Sequence, residues 1–386
     1  MRVSWVKPAP GYRSATTARR HPQPDRTNLL HRFVVAALLE WGHDPADPTP
    51  HLQSMSEQPI APAFAQDADG KPRRVGVEIE FAGLDCAQSA EIVGAFTGGR
   101  IQMVDRYRYL VEETGQGTYV VELDTQYVHP SEQAEPERRA ELESERLGHA
   151  IEQGLRIAIG EVTRLYLPIE VVCPPIPIAD LAWLDGLTAR LRRAGAQGSR
   201  ESLVYAFGLQ LNPDLPALDA ETILTYLRAY LVSADWLRRD IGIDLTRRVL
   251  PFIQPYPRGY LRKVLPGGYA PELPQLIEDY LFHNPTRNRD LDLLPLFTFL
   301  APEKVRAVVA DPRLKARPAL HYRLPDCNIQ DPDWGVVTEW NRWARTVESL
   351  AADPARLQRM CDAYYAYLQD AWFPDWGADA NAWLNR

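Results

Sequence analysis

Two glutamates two residues apart pose the chemical question for this chain. In the stretch Arg73-Arg74-Val75-Gly76-Val77-Glu78-Ile79-Glu80-Phe81-Ala82-Gly83-Leu84, polar and apolar residues alternate. Successive strand side chains point to opposite sides, so Val75, Val77, Ile79 and Phe81 share one face and Glu78 and Glu80 the other. The two carboxylates then stand roughly 7 Å apart. Like charges at that distance raise each other's pKa, and a divalent cation removes the cost. Hard ions such as Mg2+ take carboxylate oxygens. A surface strand carrying two solvated glutamates is the plainer alternative.

The same alternation recurs four times. Tyr119–Asp124 puts Glu122 and Asp124 opposite Tyr119, Val121 and Leu123; Phe207–Asn212 puts Gln210 and Asn212 opposite Phe207, Leu209 and Leu211. Ala319–Leu324 puts His321 and Arg323 opposite Leu320, Tyr322 and Leu324, and the short Ile169-Glu170-Val171 sets Glu170 between two apolar neighbours. Five strands of one kind imply a single sheet of an α+β protein, mostly antiparallel and curved. One face would pack under helices, and the other would stay wet and gather carboxylates, amides and an arginine.

The elements that must position these residues follow from the remaining pattern. Residues 1–25 form a basic arm, with Arg2, Lys7, Arg13, Arg19 and Arg20 against Asp25 alone. Residues 26–72 hold a short helix, Thr27 to Trp41, and then a linker marked by Pro45, Pro48, Pro50, Pro59, Pro62 and Pro72. The catalytic domain should run over 73–350, with an aromatic-rich helical extension over 351–386. Helices are expected at Cys86–Phe96, Glu135–Tyr166, Ile178–Ala194, Ala220–Arg239, Asp290–Ala310, Asp333–Ala351 and Pro354–Trp372. A further strand is expected at Arg106–Val111, with Gly115-Gln116-Gly117 as a hairpin turn. Residues 251–290 look least regular, apart from a short helix at Glu272–Phe282. They concentrate Arg258, Arg262, Arg287 and Arg289 with Gly259, Gly267 and Gly268, a composition suited to a lid or a phosphate-binding loop.

The strand motifs carry a family resemblance. Val75-Gly76-Val77-Glu78-Ile79-Glu80-Phe81-Ala82-Gly83-Leu84 resembles the opening strand of the amidoligase family, carboxylate–amine ligases with a glutamine-synthetase-like catalytic fold related to glutamate–cysteine ligase. Glu170-Val171-Val172-Cys173-Pro174-Pro175 and Gly208-Leu209-Gln210-Leu211-Asn212 are similar to later strands of that family. Leu320-His321-Tyr322-Arg323-Leu324-Pro325 is similar to its late Glu-x-Arg strand. Gln210 stands where the pattern often has His, and His321 where it has Glu. The resemblance implies ATP-dependent amide formation through an acyl phosphate, with ATP and Mg2+ as cofactors. It implies a small-molecule or peptide carboxylate and an amine donor as partners, and the fold commonly assembles as a homo-oligomer.

Such chemistry assigns expected roles. Glu78, Glu80 and Glu170 are expected to bind Mg2+, with Glu122 and His321 behind them. Gln210 and Asn212 are expected beside the nucleotide, and Arg323 on the transferring phosphoryl group or the substrate carboxylate. Asp124 would orient or deprotonate the amine, and Arg258, Arg262, Arg287 and Arg289 would contact phosphate or substrate. Two other readings fit the same residues: a metal-dependent phosphotransferase or hydrolase, and a catalytically inactive binding protein of ligase ancestry.

Composition narrows the classes. Over 386 residues, 51 acidic side chains against 43 basic give a formal net charge of -8, which does not suggest a nucleic-acid or anionic-membrane partner. Cys86, Cys173, Cys327 and Cys361 are scattered without metal-site spacing, as suits a reducing cytoplasm. The apolar run Phe33–Leu39 is too short to cross a membrane. No GxxxxGK[ST] sequence is present, so a P-loop is not expected.

Overall fold

The computed structural model describes residues 57–123, 168–199, 207–243, 253–370 and 375–384. The chain after Met55 groups into one compact unit, Ser56–Arg386. The basic arm, the helix expected at Thr27–Trp41, the long helix expected at Glu135–Tyr166 and Asp124 all lie outside the described residues.

In chain order the unit runs β1 (Arg74–Phe81), α1 (Cys86–Thr97), β2 (Arg100–Asp105), β3 (Arg108–Glu112), β4 (Tyr119–Leu123) and β5 (Ile169–Pro177). It continues with α2 (Ala182–Arg193), β6 (Leu209–Pro213), α3 (Ala220–Ile241), α4 (Arg258–Val264) and α5 (Leu273–His283). Next come β7 (Leu291–Asp292), α6 (Leu294–Leu300), α7 (Pro302–Arg306) and β8 (His321–Tyr322). The last helices are α8 (Val336–Trp343), α9 (Ser349–Ala351), α10 (Pro354–Asp370) and α11 (Trp376–Leu384), with a π-helical turn at Ala344–Glu348 joining α8 to α9.

The strands form one eight-stranded sheet in the order β2-β3-β4-β5-β1-β6-β8-β7, and every neighbouring pair is antiparallel. All five sequence patterns fall on this sheet, and β1 lies between β5 and β6. Its apolar set Val75, Val77, Ile79 and Phe81 is fully buried, continued by Tyr119, Val121, Val171, Leu209, Leu211, Leu291 and Tyr322 on the other strands. Burying a side chain of this size contributes about 1.5–3 kcal/mol. Helices cover this face: Trp183 of α2 packs on Tyr119, and Tyr230 of α3 and Trp343 of α8 pack on Tyr322.

Local signals set the helix ends. Asp85 caps α1 in a capping box with Gln88, and Gly98 stops the helix at φ 71°. Asp219 caps α3 through the Thr222 amide, and Gly242 closes it at φ 67°. Gly83, just past β1, has φ +90°, and a Cβ there would stand 2.3 Å from the carbonyl oxygen of Gly195. Only glycine fits that crossing.

Several expectations change. Asp290–Ala310 is not one helix: Leu291–Asp292 joins the sheet as β7, and Pro295 and Pro302 open two short helices behind it. Of the strand expected at Ala319–Leu324, His321–Tyr322 forms a regular strand, and Ala319 adds an isolated bridge to Asp214. A strand at Arg100–Asp105 joins the sheet edge, and its side chains are all exposed. Residues 251–290 contain a second helix, α4, because Tyr260, Leu261 and Val264 form an apolar stripe that packs inward. The described part of the Pro-rich stretch runs along α8, where Asn341 accepts from the Ile60 amide and donates to the Gln58 carbonyl. The aromatic tail docks on α3, with Trp376 donating to the Val232 carbonyl at 2.8 Å and stacking on Tyr364.

The largest change concerns the polar face. It was expected to be wet, yet Glu78, Glu80, Gln210, Asn212, His321 and Arg323 are all buried. The carboxylates and amides satisfy one another across strands, and the segments carrying Arg287 and Arg317 lie against them. Burial is tolerable because most of these groups find partners.

Candidate active site

Register gathers the polar side chains from strands far apart in sequence. Glu122 on β4 faces Glu170 on β5, and Glu170 faces Glu80 on β1, so three carboxylates stand side by side on neighbouring strands. Arg108 on β3 extends this row and lies 3.4 Å from Glu122. One pleat along, Glu78 faces Gln210 on β6. The pairing of Leu211 with Tyr322 then sets Gln210 beside Arg323 and Asn212 beside His321, and His321 faces Asp292 on β7. The face therefore runs from carboxylates at β4, β5 and β1 to Arg323 at the end of β8.

Hydrogen bonds tie the two ends together. Gln210 Nε2 donates to Glu80 Oε1 at 3.1 Å, and the Gly208 amide donates to Glu80 Oε2 at 2.7 Å. Asn212 Nδ2 donates to Glu78 Oε1 at 3.0 Å, and Arg317 Nη1 donates to the same oxygen at 2.6 Å. Asp292 Oδ1 accepts from the Leu294 amide, while its Oδ2 lies 3.9 Å from Arg323 Nη2. Arg287 Nη1 lies 3.7 Å from Asp311 Oδ2, an oxygen that also holds Arg313 at 2.8 Å.

Some buried atoms of the site have no hydrogen-bond partner: Gln210 Oε1, Asn212 Oδ1, both ring nitrogens of His321, Asp292 Oδ2 and Arg287 Nε. In an ordinary core such atoms are rare. Four of them are acceptors or can serve as one, and a cation or an N–H donor would satisfy them.

Burial and charge then set the protonation. Burial pushes the His321 imidazole down, and Arg323, Arg317 and Arg287 push it further, to about 3 despite Glu78 nearby. The ring is therefore neutral, with a lone pair to give. Burial works against the charge of Glu78, but His321, Arg317 and Arg323 around it together hold the carboxyl well below the usual range. Burial raises Asp292 to about 6, only partly offset by Arg323 and the Leu294 amide. Arg287 is pushed down by burial and then by Arg323, against the pull of Asp292 and Asp311.

Among the described residues, no three His, Cys, Asp or Glu side chains converge on one point as a closed metal cage. What they offer is a row of carboxylates flanked by two buried amide oxygens. That donor set suits Mg2+, which keeps several waters and takes one or two carboxylates together with substrate phosphates.

The loop arginines part company. Arg287 lies in the cluster, but Arg289 is engaged with the Pro255 carbonyl and Asn284, and Arg262 with the Leu368 carbonyl on α10. Arg258 is exposed at the start of α4. Two residues of the cluster escaped the sequence reading, Asp292 and Arg317. Arg317, Ala319, His321 and Arg323 share one parity, so extending the strand pattern back past Pro318 would have found the arginine. Asp292 alternates with Leu291 and Leu293, over too few residues to stand out.

A family model described as "putative amidoligase enzyme" matches residues 71–345, more than half of the chain. The chain belongs to that family. The match spans β1 to β8 and continues through α8, so every residue of the cluster falls inside it. No curated protein and no solved structure matches the chain. Among the described residues, no helix of this amidoligase is long and apolar enough to cross a membrane, and its four cysteines are buried free thiols.

Proposed function

We propose that this amidoligase is an ATP-dependent carboxylate–amine ligase of glutamine-synthetase-like fold, working through an acyl phosphate. The observation that carries the reading is one buried sheet face on which carboxylates run directly into a cluster of guanidiniums. A carboxylate must be activated before an amine will displace anything from it, and ATP supplies that activation as an acyl phosphate. Mg2+, when bound, would neutralise phosphate charge.

The chain's own residues divide the remaining work. Glu78, Glu80 and Glu170 hold the cation, with Glu122 next in the row and the amide oxygens of Gln210 and Asn212 beside it. A neutral His321 would add one ring-nitrogen acceptor to this set. Arg323 faces the phosphoryl group as charge moves onto it, and Arg287 adds a second fork for phosphate or carboxylate oxygens. Asp292 Oδ2, which has no hydrogen-bond partner, would accept an N–H of the incoming amine. A buried face keeps water from the activated carboxylate. An ATP-using ligase with free thiols fits the cytoplasm.

The test is a thermal melt of wild type and Glu80→Gln with ADP or ATP, each with and without Mg2+. A ligand that binds the native state stabilises it by mass action, about 2.7 kcal/mol at a hundredfold excess over Kd. Wild type should gain several degrees only when nucleotide and Mg2+ are both present, and the variant should gain none. Equal behaviour of the two proteins, in either direction, would remove the metal–nucleotide basis of the reading.

A further inference from the structure

Arg317 has 31% of its side chain in water, whereas the side chain of its partner Glu78 is 9% exposed. Its backbone is fixed independently of its side chain, since the Arg317 amide donates to the Pro295 carbonyl at 3.1 Å. The guanidinium holds Glu78 Oε1 at 2.6 Å, and Asn212 Nδ2 donates to that oxygen at 3.0 Å. A carboxylate oxygen offers about two lone-pair directions. Glu78 Oε1 therefore has none left for a metal, and a Mg2+ at about 2.1 Å from it would face the guanidinium at close range. Arg317 and a cation exclude each other on Glu78 Oε1, which leaves only Oε2 of that carboxylate to a cation while the guanidinium is in place.

A second, separate observation says that this arrangement is not the final one. Gln210 Oε1 and Asn212 Oδ1 sit next to the pair, each residue 3% exposed, and neither oxygen has a hydrogen-bond partner; the two nitrogens of buried His321 are in the same condition. The two amide oxygens and one nitrogen of the neutral imidazole are acceptors that a cation would satisfy. Building on the ligase reading above, we propose that Arg317 is a gate: it occupies the cation's seat on Glu78 in the ligand-free protein and yields it when a polyphosphate arrives with the cation.

In the exchange no covalent bond changes. The hydrogen bond from Arg317 Nη1 to Glu78 breaks, the carboxylate turns to the cation, and the guanidinium moves onto phosphate oxygens, which its planar fork fits as two parallel hydrogen bonds. Cation and polyphosphate then bind with positive coupling, because each removes a competitor of the other. A free divalent ion alone meets a closed site.

The experiment counts free Mn2+ by its electron paramagnetic resonance signal during titration of the full chain, with and without ADP, for wild type, Arg317→Gln and Arg317→Lys. Wild type should bind Mn2+ weakly alone and at least tenfold more tightly with ADP. Arg317→Gln should bind Mn2+ alone at least tenfold more tightly than wild type and gain little from ADP. Arg317→Lys, a point charge without the fork, should fall between them, and it carries the test if the glutamine variant does not fold. Identical Mn2+ affinities and identical ADP coupling in wild type and variants would overturn the gate while leaving the ligase reading in place. Failure of every protein to bind Mn2+ even with ADP would overturn both.

Discussion

Two arginine–glutamate pairs at β1, Arg73–Glu348 and Arg317–Glu78, are built differently. In Arg73–Glu348 both guanidinium nitrogens Nη1 and Nη2 reach the carboxylate, at 3.0 and 2.7 Å, and Arg73 also donates to the carbonyls of Asp214 and Phe64. Glu348 accepts in addition from Tyr226 and Trp343, and both ion-pair side chains are almost fully occluded, at 0% and 2%. The π-helical turn places Glu348 there. Arg317–Glu78, in contrast, is a single hydrogen bond with one partner in water and unpartnered acceptors beside it. A closed pair locks β1 to the C-terminal helices. An open pair marks a place where something else is meant to bind.

The comparison can be broken from its strong side first. Glu348→Ala leaves Arg73 charged and buried with no carboxylate, and removal of one partner of such a pair costs about 3–5 kcal/mol. Urea unfolding should show that loss. A change below about 1 kcal/mol would mean that the closed pair is not the structural lock.

Asp292 sharpens the difference through pH. Its folded pKa of about 6 lies above the ordinary carboxyl value of 3.8. The stability tied to its neutral form is therefore whole below pH 3.8 and is lost as pH rises through 6. Asp292→Asn should raise the melting temperature at pH 8, by up to about 3 kcal/mol of stability at roughly 1.4 kcal/mol per pKa unit, and leave it unchanged near pH 4. Melts of both proteins across that range check it. An equal effect at both ends would sever the link between burial and charge at this residue.

The smallest effect belongs to the open pair. Arg317→Ala should cost about 1 kcal/mol in the absence of ligands, because 31% of the Arg317 side chain is already in water and Asn212 and Arg323 remain beside Glu78. A loss as large as that of Glu348→Ala, read from the same urea titration, would make the two pairs alike and remove the contrast.

Much of this architecture is legible in the sequence. Alternation with a period of two assigns Glu78, Glu80, Glu122, Glu170, Gln210, Asn212, His321 and Arg323 to one face of a sheet, because the pleat allows no other division. Asp85, Gly98, Asp219 and Gly242 announce helix ends for equally local reasons. Neither burial of the polar face nor the order of the strands across it could be read that way. Which strand lies next to which depends on pairing between distant segments, such as Val75 with Pro213 and Leu211 with Tyr322, so the meeting of Arg317 with Glu78, and of Asp292 with His321, exists only in the folded chain. The two-residue strand at β7 is held by its neighbour β8 and by the prolines that open the helices after it, and no propensity of its own marks it. Sequence determined the side of the sheet each residue takes; tertiary structure decided its neighbours, since strand register is a long-range property and side-chain parity is a local one.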